Sequence, residues 1–244
     1  MKVHVHFHQN SLRNFSYLLE NSKGEAILID PFSGDYWREF LNSKHLALVG
    51  LFFTHDHPDH YAGESVFSNE ILRVAHPNAR LPFPFKAVQN LDKIFIDFCD
   101  ERSFLRINFT PGHVDTHLAL EWWQDEVLVG FFSGDCLFNA GIGNAKNGGD
   151  VAILFKTVQR LSTILSKETI LYPGHDYIQR NLEFNLHYSD RHKLMLQFLL
   201  EMKEQYEKSG YQFMTMDNEF KMNPYLNNND QENFFDLRRL RDQW

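Results

Sequence analysis

The chain has 244 residues, 24 basic and 32 acidic side chains, a formal net charge of -8 and 43% hydrophobic residues. This length predicts one large domain, or one domain with an appendage, and the composition is that of an ordinary globular protein. The acidic balance argues against broad binding to nucleic acid, because phosphate binding draws its affinity from Lys and Arg.

No apolar stretch reaches the ~20 residues that span a bilayer, and the N-terminal segment lacks the apolar region of a secretory signal. We therefore expect a soluble, cytoplasmic protein with no membrane or nucleic acid partner, and a monomer, with a homodimer as the alternative. Cys99 and Cys136 could form at most one bridge, too few for a disulfide scaffold of this size. The 13 histidines call for an explanation.

Strand-like and helix-like segments alternate along the chain. Residues 3–8 alternate Val, Val and Phe with three histidines, which predicts a strand whose histidines form a polar face. Apolar runs predict further strands at 15–19, 26–29, 46–53, 104–109, 118–122, 127–132 and 169–172. Helical patterns cover 36–42, where Asp35 is the expected cap, and then 151–165 and 177–209. The mixture predicts an α/β or α+β class, with a boundary near residue 176.

A cluster of metal-binding side-chain types follows the apolar run 46–53. It reads Thr-His-Asp-His-Pro-Asp-His over residues 54–60, and its candidate ligands are His55, His57, Asp59 and His60. Imidazole and carboxylate are ligands that zinc, iron and manganese all accept. Because a mononuclear site needs about three protein ligands, this density predicts two metal ions.

Three more candidate ligands follow other predicted strands, and each stands beside a glycine: His113, Asp135 and His175. Glycine lets the backbone turn sharply at the strand end and present the neighbouring side chain. A single histidine is more often a structural residue than a ligand, but the joint pattern favours one metal site built from four loops. His117 is ambiguous, because it could support a ligand or serve only the fold.

Taken in order, these motifs resemble the metallo-β-lactamase superfamily. The resemblance implies an αββα sandwich with the metals at the edge of the two sheets. It also implies that His55, His57 and His113 hold one metal, that Asp59, His60 and His175 hold the second, and that Asp135 bridges them.

Residues around these motifs, and the C-terminal segment, resemble the glyoxalase II branch, the hydroxyacylglutathione hydrolases. The resemblance implies a catalytic domain at 1–176 and a small helical substrate-binding domain at 177–244. It places the contacts to a glutathione thioester at Asn144, Lys146, Tyr177, Arg238 and Arg241. The branch commonly has a basic residue and a tyrosine after its Gly-x-Gly turn, whereas this chain has Asn144 and Lys146 at those positions.

The expected activity is therefore hydrolysis of a glutathione thioester, S-lactoylglutathione, to D-lactate and glutathione by a metal-bridging hydroxide. In this reading Asp59 and Asp135 are the catalytic carboxylates, and the cofactors are two divalent metal ions, with zinc preferred over iron or manganese. A thiolate leaves without much help from an acid, since a thiol has a pKa near 8.5, and the motifs contain no additional acid. The alternatives are a mononuclear iron persulfide dioxygenase, another thioester or lactone hydrolase, and a binding protein that keeps a metal without turnover.

Overall fold

The computed structural model describes residues 1–188 and 213–244, together with residues 193, 196, 197, 200, 201 and 204. Within them, two β-sheets lie face to face. The strands of the first sheet are β1 (Lys2–Phe7), β2 (Phe15–Glu20), β3 (Glu25–Ile29), β4 (Ala47–Phe52), β5 (Leu72–Ala75) and β6 (Lys86–Ala87), which lie side by side in chain order. The strands of the second sheet are β7 (Lys93–Ile94), β8 (Ser103–Phe109), β9 (Leu118–Gln124), β10 (Val127–Gly134) and β13 (Ile170–Pro173), in the order β13-β10-β9-β8-β7. A separate hairpin consists of β11 (Leu137–Phe138) and β12 (Gly141–Ile142).

Helices cover both outer faces of the sheet pair. The helices whose bounds the structure describes are α1 (Gly34–Lys44), α2 (Pro58–Tyr61), α3 (Val151–Ile164), α4 (Ile178–Tyr188), α5 (Met216–Met222) and α6 (Gln231–Gln243). Among the described ranges, no helix combines the length and the apolar character that crossing a membrane requires.

Alternating side chains of the strands divide the hydrophobic interior into three layers. Leu19 and Phe132 belong to the cluster between the two sheets, whereas Leu18, the neighbour of Leu19, packs with Trp37 of α1. Phe131, the neighbour of Phe132, packs on the other side with the apolar face of α3. Strands with both faces covered bury both sets of side chains, which explains their nearly continuous apolar runs. The predicted αββα sandwich is therefore confirmed.

The predicted strands are confirmed to within two residues at most ends, but two local predictions are wrong. Helix α1 begins at Gly34 after Ser33, and Asp35 is not its cap but lies in its first turn, where it accepts a hydrogen bond from Arg38. The histidines of β1 do not form an open polar face, because α1 covers them: the His4 ring packs on Phe40 and the His6 ring stacks on Tyr36.

The C-terminal helices share their hydrophobic interior with the second sheet. Met216, Tyr225 and Phe234 belong to the same buried cluster as Leu154 and Leu161 of α3. The division into domains at residue 176 stays a prediction. The predicted helix at 177–209 is confirmed over Ile178–Tyr188, and most of its remainder lies outside the described residues.

Candidate metal centre

Strand direction brings the sequence-predicted ligands to one edge of the sandwich. In the second sheet, β8 and β10 are both antiparallel to β9, and β13 is parallel to β10. The C-terminal ends of these three strands therefore point the same way, and His113, Asp135 and His175 follow those ends. In the first sheet, β3 and β4 are parallel, so Asp30 after β3 and the 54–60 cluster after β4 reach one edge as well.

The candidate ligand atoms fall into adjacent groups. Those of His55, His57 and His113 lie within 4.8 Å of one another, and so do those of Asp59, His60 and His175. Asp135 stands between the groups: its carboxylate oxygens are 3.6 Å from His113 Nε2, 3.4 Å from His60 Nε2 and 3.2 Å from His175 Nε2. The structure thus brings together all seven side chains that the sequence nominated as metal ligands.

Each of the five histidines forms a hydrogen bond with its outer ring nitrogen and directs its inner ring nitrogen into the site, the arrangement in which a histidine can bind a metal. The bonds run from His55 Nδ1 to Thr54 Oγ1 (3.0 Å), from His60 Nδ1 to Asp30 Oδ2 (2.8 Å), from His113 Nδ1 to the Asn144 carbonyl (2.6 Å), from His175 Nδ1 to the Leu12 carbonyl (2.8 Å) and from His57 Nε2 to the Asn147 carbonyl (3.4 Å).

The inner ring nitrogens of three of these histidines lie close together. His57 Nδ1 is 3.0 Å from His55 Nε2 and 3.2 Å from His113 Nε2. His60 Nε2 and Asp135 Oδ1 are buried and have no hydrogen-bond partner among the described residues. Buried polar atoms without a partner are costly, so the donor set fits divalent cations of the kind that imidazole and carboxylate ligands bind.

The electrostatics of the centre also favour cations. Burial opposes a charge on Asp135, but His175 and His60 hold the pKa of its carboxyl well below the usual range. Burial likewise opposes a charge on His60, yet Asp135 and Asp30 raise its pKa to about 10. The carboxylates therefore create a negative potential where His60 faces the site. Burial and the neighbouring His60 keep the pKa of His55 well below its usual value, which leaves this ring neutral and able to act as a ligand.

Three supporting residues were missed or left undecided by sequence reasoning. Asp30 accepts hydrogen bonds from the Thr54 backbone and hydroxyl as well as from His60. Asn14 donates from Nδ2 to Asp59 Oδ2 at 2.8 Å. His117 accepts the Asp135 backbone N–H at 3.0 Å and donates from Nδ1 to Thr110, so it supports a candidate ligand. The signal for Asp30 was its place at the end of an apolar run, directly before a proline.

A close approach of backbone to ligands explains the glycine beside His175. A Cβ at Gly174 would lie 2.4 Å from Asp135 Oδ1 and 3.0 Å from His60 Cε1. Any other residue would therefore push the second group of candidate ligands apart.

The residues expected to contact substrate lie at the same edge, but most are held by the chain itself. Tyr177 stacks on the His175 ring at 5.1 Å. Asn144 holds His113 through its carbonyl, and Lys146 pairs with Asp242. Arg238 is buried and donates to the Ile142 and Gly143 carbonyls, and Arg241 donates to Asn181 Oδ1 at 3.0 Å. The five positions stay predicted substrate contacts.

The comparisons with known proteins agree with this geometry. Residues 12–178 match the family Lactamase_B, the Metallo-beta-lactamase superfamily. A hydroxyacylglutathione hydrolase of Polaromonas sp. is 36% identical over 182 residues, which are 72% of this chain and 67% of that protein. The one of Francisella philomiragia is 36% identical over 190 residues, which are 76% of this chain and 72% of that protein.

Solved structures show the same fold. The crystal structure of ETHE1 from Myxococcus xanthus superimposes with a TM-score of 0.70 at 22% identity, over 98% of this chain and 90% of that one. The crystal structure of TTHA1623 in a di-iron-bound form has a TM-score of 0.62 at 21% identity, over 89% of this chain and 97% of that one. The chain therefore belongs to the metallo-beta-lactamase superfamily, in its hydroxyacylglutathione hydrolase branch, and is a hydrolase.

Proposed function

We propose that the protein hydrolyses glutathione thioesters, with S-lactoylglutathione as substrate, at a centre of two divalent cations. The observation that carries the proposal is the pair of ligand groups on either side of Asp135. One group alone would satisfy a mononuclear site, so the intact second group of Asp59, His60 and His175 supports two cations. The names of the curated relatives support the thioester class.

When bound, two divalent cations lower the pKa of water from 15.7 towards about 7 and polarise a carbonyl oxygen. His55, His57 and His113 would hold one cation, and Asp59, His60 and His175 the other, with Asp135 shared between them. Zinc is the first choice for this donor set, and iron and manganese accept the same ligands. A di-iron form is described for TTHA1623, which shares the fold.

The chain's own residues fix the geometry of this centre. The Asn144 and Leu12 carbonyls and the Asp30 carboxylate orient three of the rings before a cation binds. The His117 ring accepts a hydrogen bond from the Asp135 backbone N–H, which fixes the main chain from which the Asp135 carboxylate enters the site. Side chains that are already oriented in this way lose less conformational entropy when the site is organised for catalysis.

Tyr177 would line the substrate side of the centre. Burial, with Asp135 and Asp59 nearby, raises the pKa of its phenol, so the hydroxyl keeps its proton and can donate a hydrogen bond to the substrate. Lys146, Arg238 and Arg241 would supply positive charge for the carboxylates of glutathione. The net charge of -8 does not oppose this role strongly, because charges farther than ~8 Å are largely screened at physiological salt.

Metal analysis by mass spectrometry, combined with a thioester hydrolysis assay, tests the proposal. We expect two metal ions per chain and turnover of S-lactoylglutathione. One iron per chain with oxygen uptake on a glutathione persulfide would instead assign the dioxygenase reading. Bound metal with neither reaction would assign a binding protein.

The division of the chain also belongs to this proposal. Residues 1–176 would form the catalytic domain, and residues 177–244 would supply the substrate-binding helices. The packing of α6 against the turn at Gly143 supports a substrate-binding role for residues 177–244, because it places Arg238 next to the backbone that holds His113. We also propose cytoplasmic location and a monomeric state, and gel filtration with light scattering tests the latter.

A further inference from the structure

Two cations, Lys146 and Arg238, form a cluster next to the backbone segment that supports the candidate metal centre. Arg238 Nη1 donates to the Ile142 carbonyl at 2.9 Å and to the Gly143 carbonyl at 3.3 Å. The next carbonyl along the chain, that of Asn144, accepts the hydrogen bond from His113. The backbone that Arg238 holds thus continues directly into the residue that supports a candidate metal ligand.

One carboxylate of the chain already occupies the cluster. Asp242 Oδ1 accepts a hydrogen bond from Arg238 Nη2 at 2.7 Å and lies 3.7 Å from Lys146 Nζ. Lys146 Nζ also donates to the Asp242 carbonyl at 3.1 Å. The last residues of α6 thus hold both cations with the same chemical group that glutathione would offer them.

The two cations differ in how firmly they are held. The Arg238 side chain is 8% exposed and is fixed by backbone carbonyls, whereas the Lys146 side chain is 55% exposed and contacts Asp242 at a longer distance. An exposed pair of this kind is worth little, so a substrate carboxylate can displace Asp242 from Lys146 at small cost. Arg241 is not part of the competition, because Asn181 holds it.

We propose that Asp242 is a specificity-determining residue that competes with the carboxylates of the thiol half of the substrate for Lys146 and Arg238. This inference rests on the proposed thioester hydrolysis. It follows that Asp242 disfavours carboxylate-bearing thioesters such as those of glutathione, and leaves thioesters of uncharged thiols unaffected. Asp242 therefore reduces the preference for glutathione thioesters over uncharged thioesters that Lys146 and Arg238 would give without it.

The test is the variant Asp242→Asn, assayed in the metal-loaded enzyme with two lactoyl thioesters. One is S-lactoylglutathione, and the other is the thioester of N-acetylcysteamine, whose thiol half carries no charge. Removing an exposed ion pair changes binding affinity by up to about fivefold. KM for the glutathione thioester should therefore fall about fivefold, with kcat little changed. The kinetics with the uncharged thioester should not change.

Asp236→Asn is the matched control. Asp236 lies on the same helix and pairs only with the exposed Arg239 among the described residues, so its change alters the net charge equally without touching the cluster. Equal gains in the two variants would overturn the inference, because the effect would then be a general one of net charge. An unchanged or higher KM for S-lactoylglutathione in Asp242→Asn would overturn it as well.

Asp242→Ala is the second variant if Asp242→Asn folds poorly, and it should lower KM for the glutathione thioester in the same way. A double-mutant cycle with Lys146 then tests where the competition takes place. Lys146→Gln should raise KM for the glutathione thioester, and adding Asp242→Asn to it should bring a gain smaller than in the parent chain. Full additivity would contradict competition at Lys146. If the parent protein hydrolyses no thioester, the proposed function fails, and calorimetric titration with glutathione itself still measures whether Asp242→Asn tightens binding about fivefold.

Discussion

Glu219 offers the sharpest test of the electrostatics of this fold. The side chain is fully buried at the start of the C-terminal region, where it accepts hydrogen bonds from Asn139 Nδ2, the Ala140 N–H and Asn223 Nδ2. Burial raises the pKa of its carboxyl from 4.5 to about 7, and the three hydrogen bonds only partly oppose this effect. At about 1.36 kcal/mol per pH unit, the difference amounts to ~3 kcal/mol.

The sign follows from the raised pKa. Below pH 4.5 the carboxyl is protonated in both the folded and the unfolded chain, and Glu219 costs nothing. Between pH 4.5 and about 7 the unfolded chain loses its proton while the folded chain keeps it, so the free energy of unfolding falls. Above about pH 7 the full loss is reached and remains constant.

The measurement is urea unfolding of the parent and of Glu219→Gln at several pH values, with the same metal loading. Gln cannot ionise, so from about pH 5 to pH 8 the parent should lose 2 to 3 kcal/mol relative to the variant. In the variant, the side-chain amide at position 219 can face the Ala140 N–H, which costs the same free energy at every pH. This cost shifts the whole curve of unfolding free energy against pH but does not change its slope. Glu183→Gln, exposed on α4, controls for the loss of one negative charge. Parallel curves for the parent and Glu219→Gln would refute the reasoning.

Three further predictions concern the metal centre. Asp30→Asn removes the carboxylate that orients His60, and we expect chelator competition to show a metal affinity weaker by about 10- to 100-fold, whereas equal affinity would exclude this role. Asn14→Ala should affect only the group that contains Asp59, so metal analysis should find fewer than two ions while the first is retained. Gly174→Ala should lower metal content while circular dichroism stays native, because the new Cβ would meet Asp135 and not the hydrophobic interior; full metal loading would contradict the close contact.

The sequence pattern predicted most of the strands and all the candidate ligands because both depend on local signals. Buried strands read as apolar runs, and the residues after their ends are set by strand direction alone. The short strands β5, β6, β7, β11 and β12 were not predicted, since two to four residues are too few to show a period.

Partners that are distant in the sequence could not be predicted in the same way. Asp30 meets His60 across 30 positions, and Arg238 meets the Ile142 carbonyl across 96. Backbone carbonyls are present at every residue, so no side-chain pattern announces which one an arginine will find. The role of Asp242 was hidden for this reason, because it follows from the place of α6 in the fold and not from its own composition.

The candidate ligands come from both sheets, and this division links cofactor loading to assembly of the molecule. The 54–60 cluster belongs to the first sheet, and His113, Asp135 and His175 to the second. Cations bound by ligands from both sheets would hold the two sheets together, since anything that binds only the native state stabilises it by mass action. Removing the cations should lower the melting temperature. Separation of the two sheets during unfolding would require that the cations dissociate first.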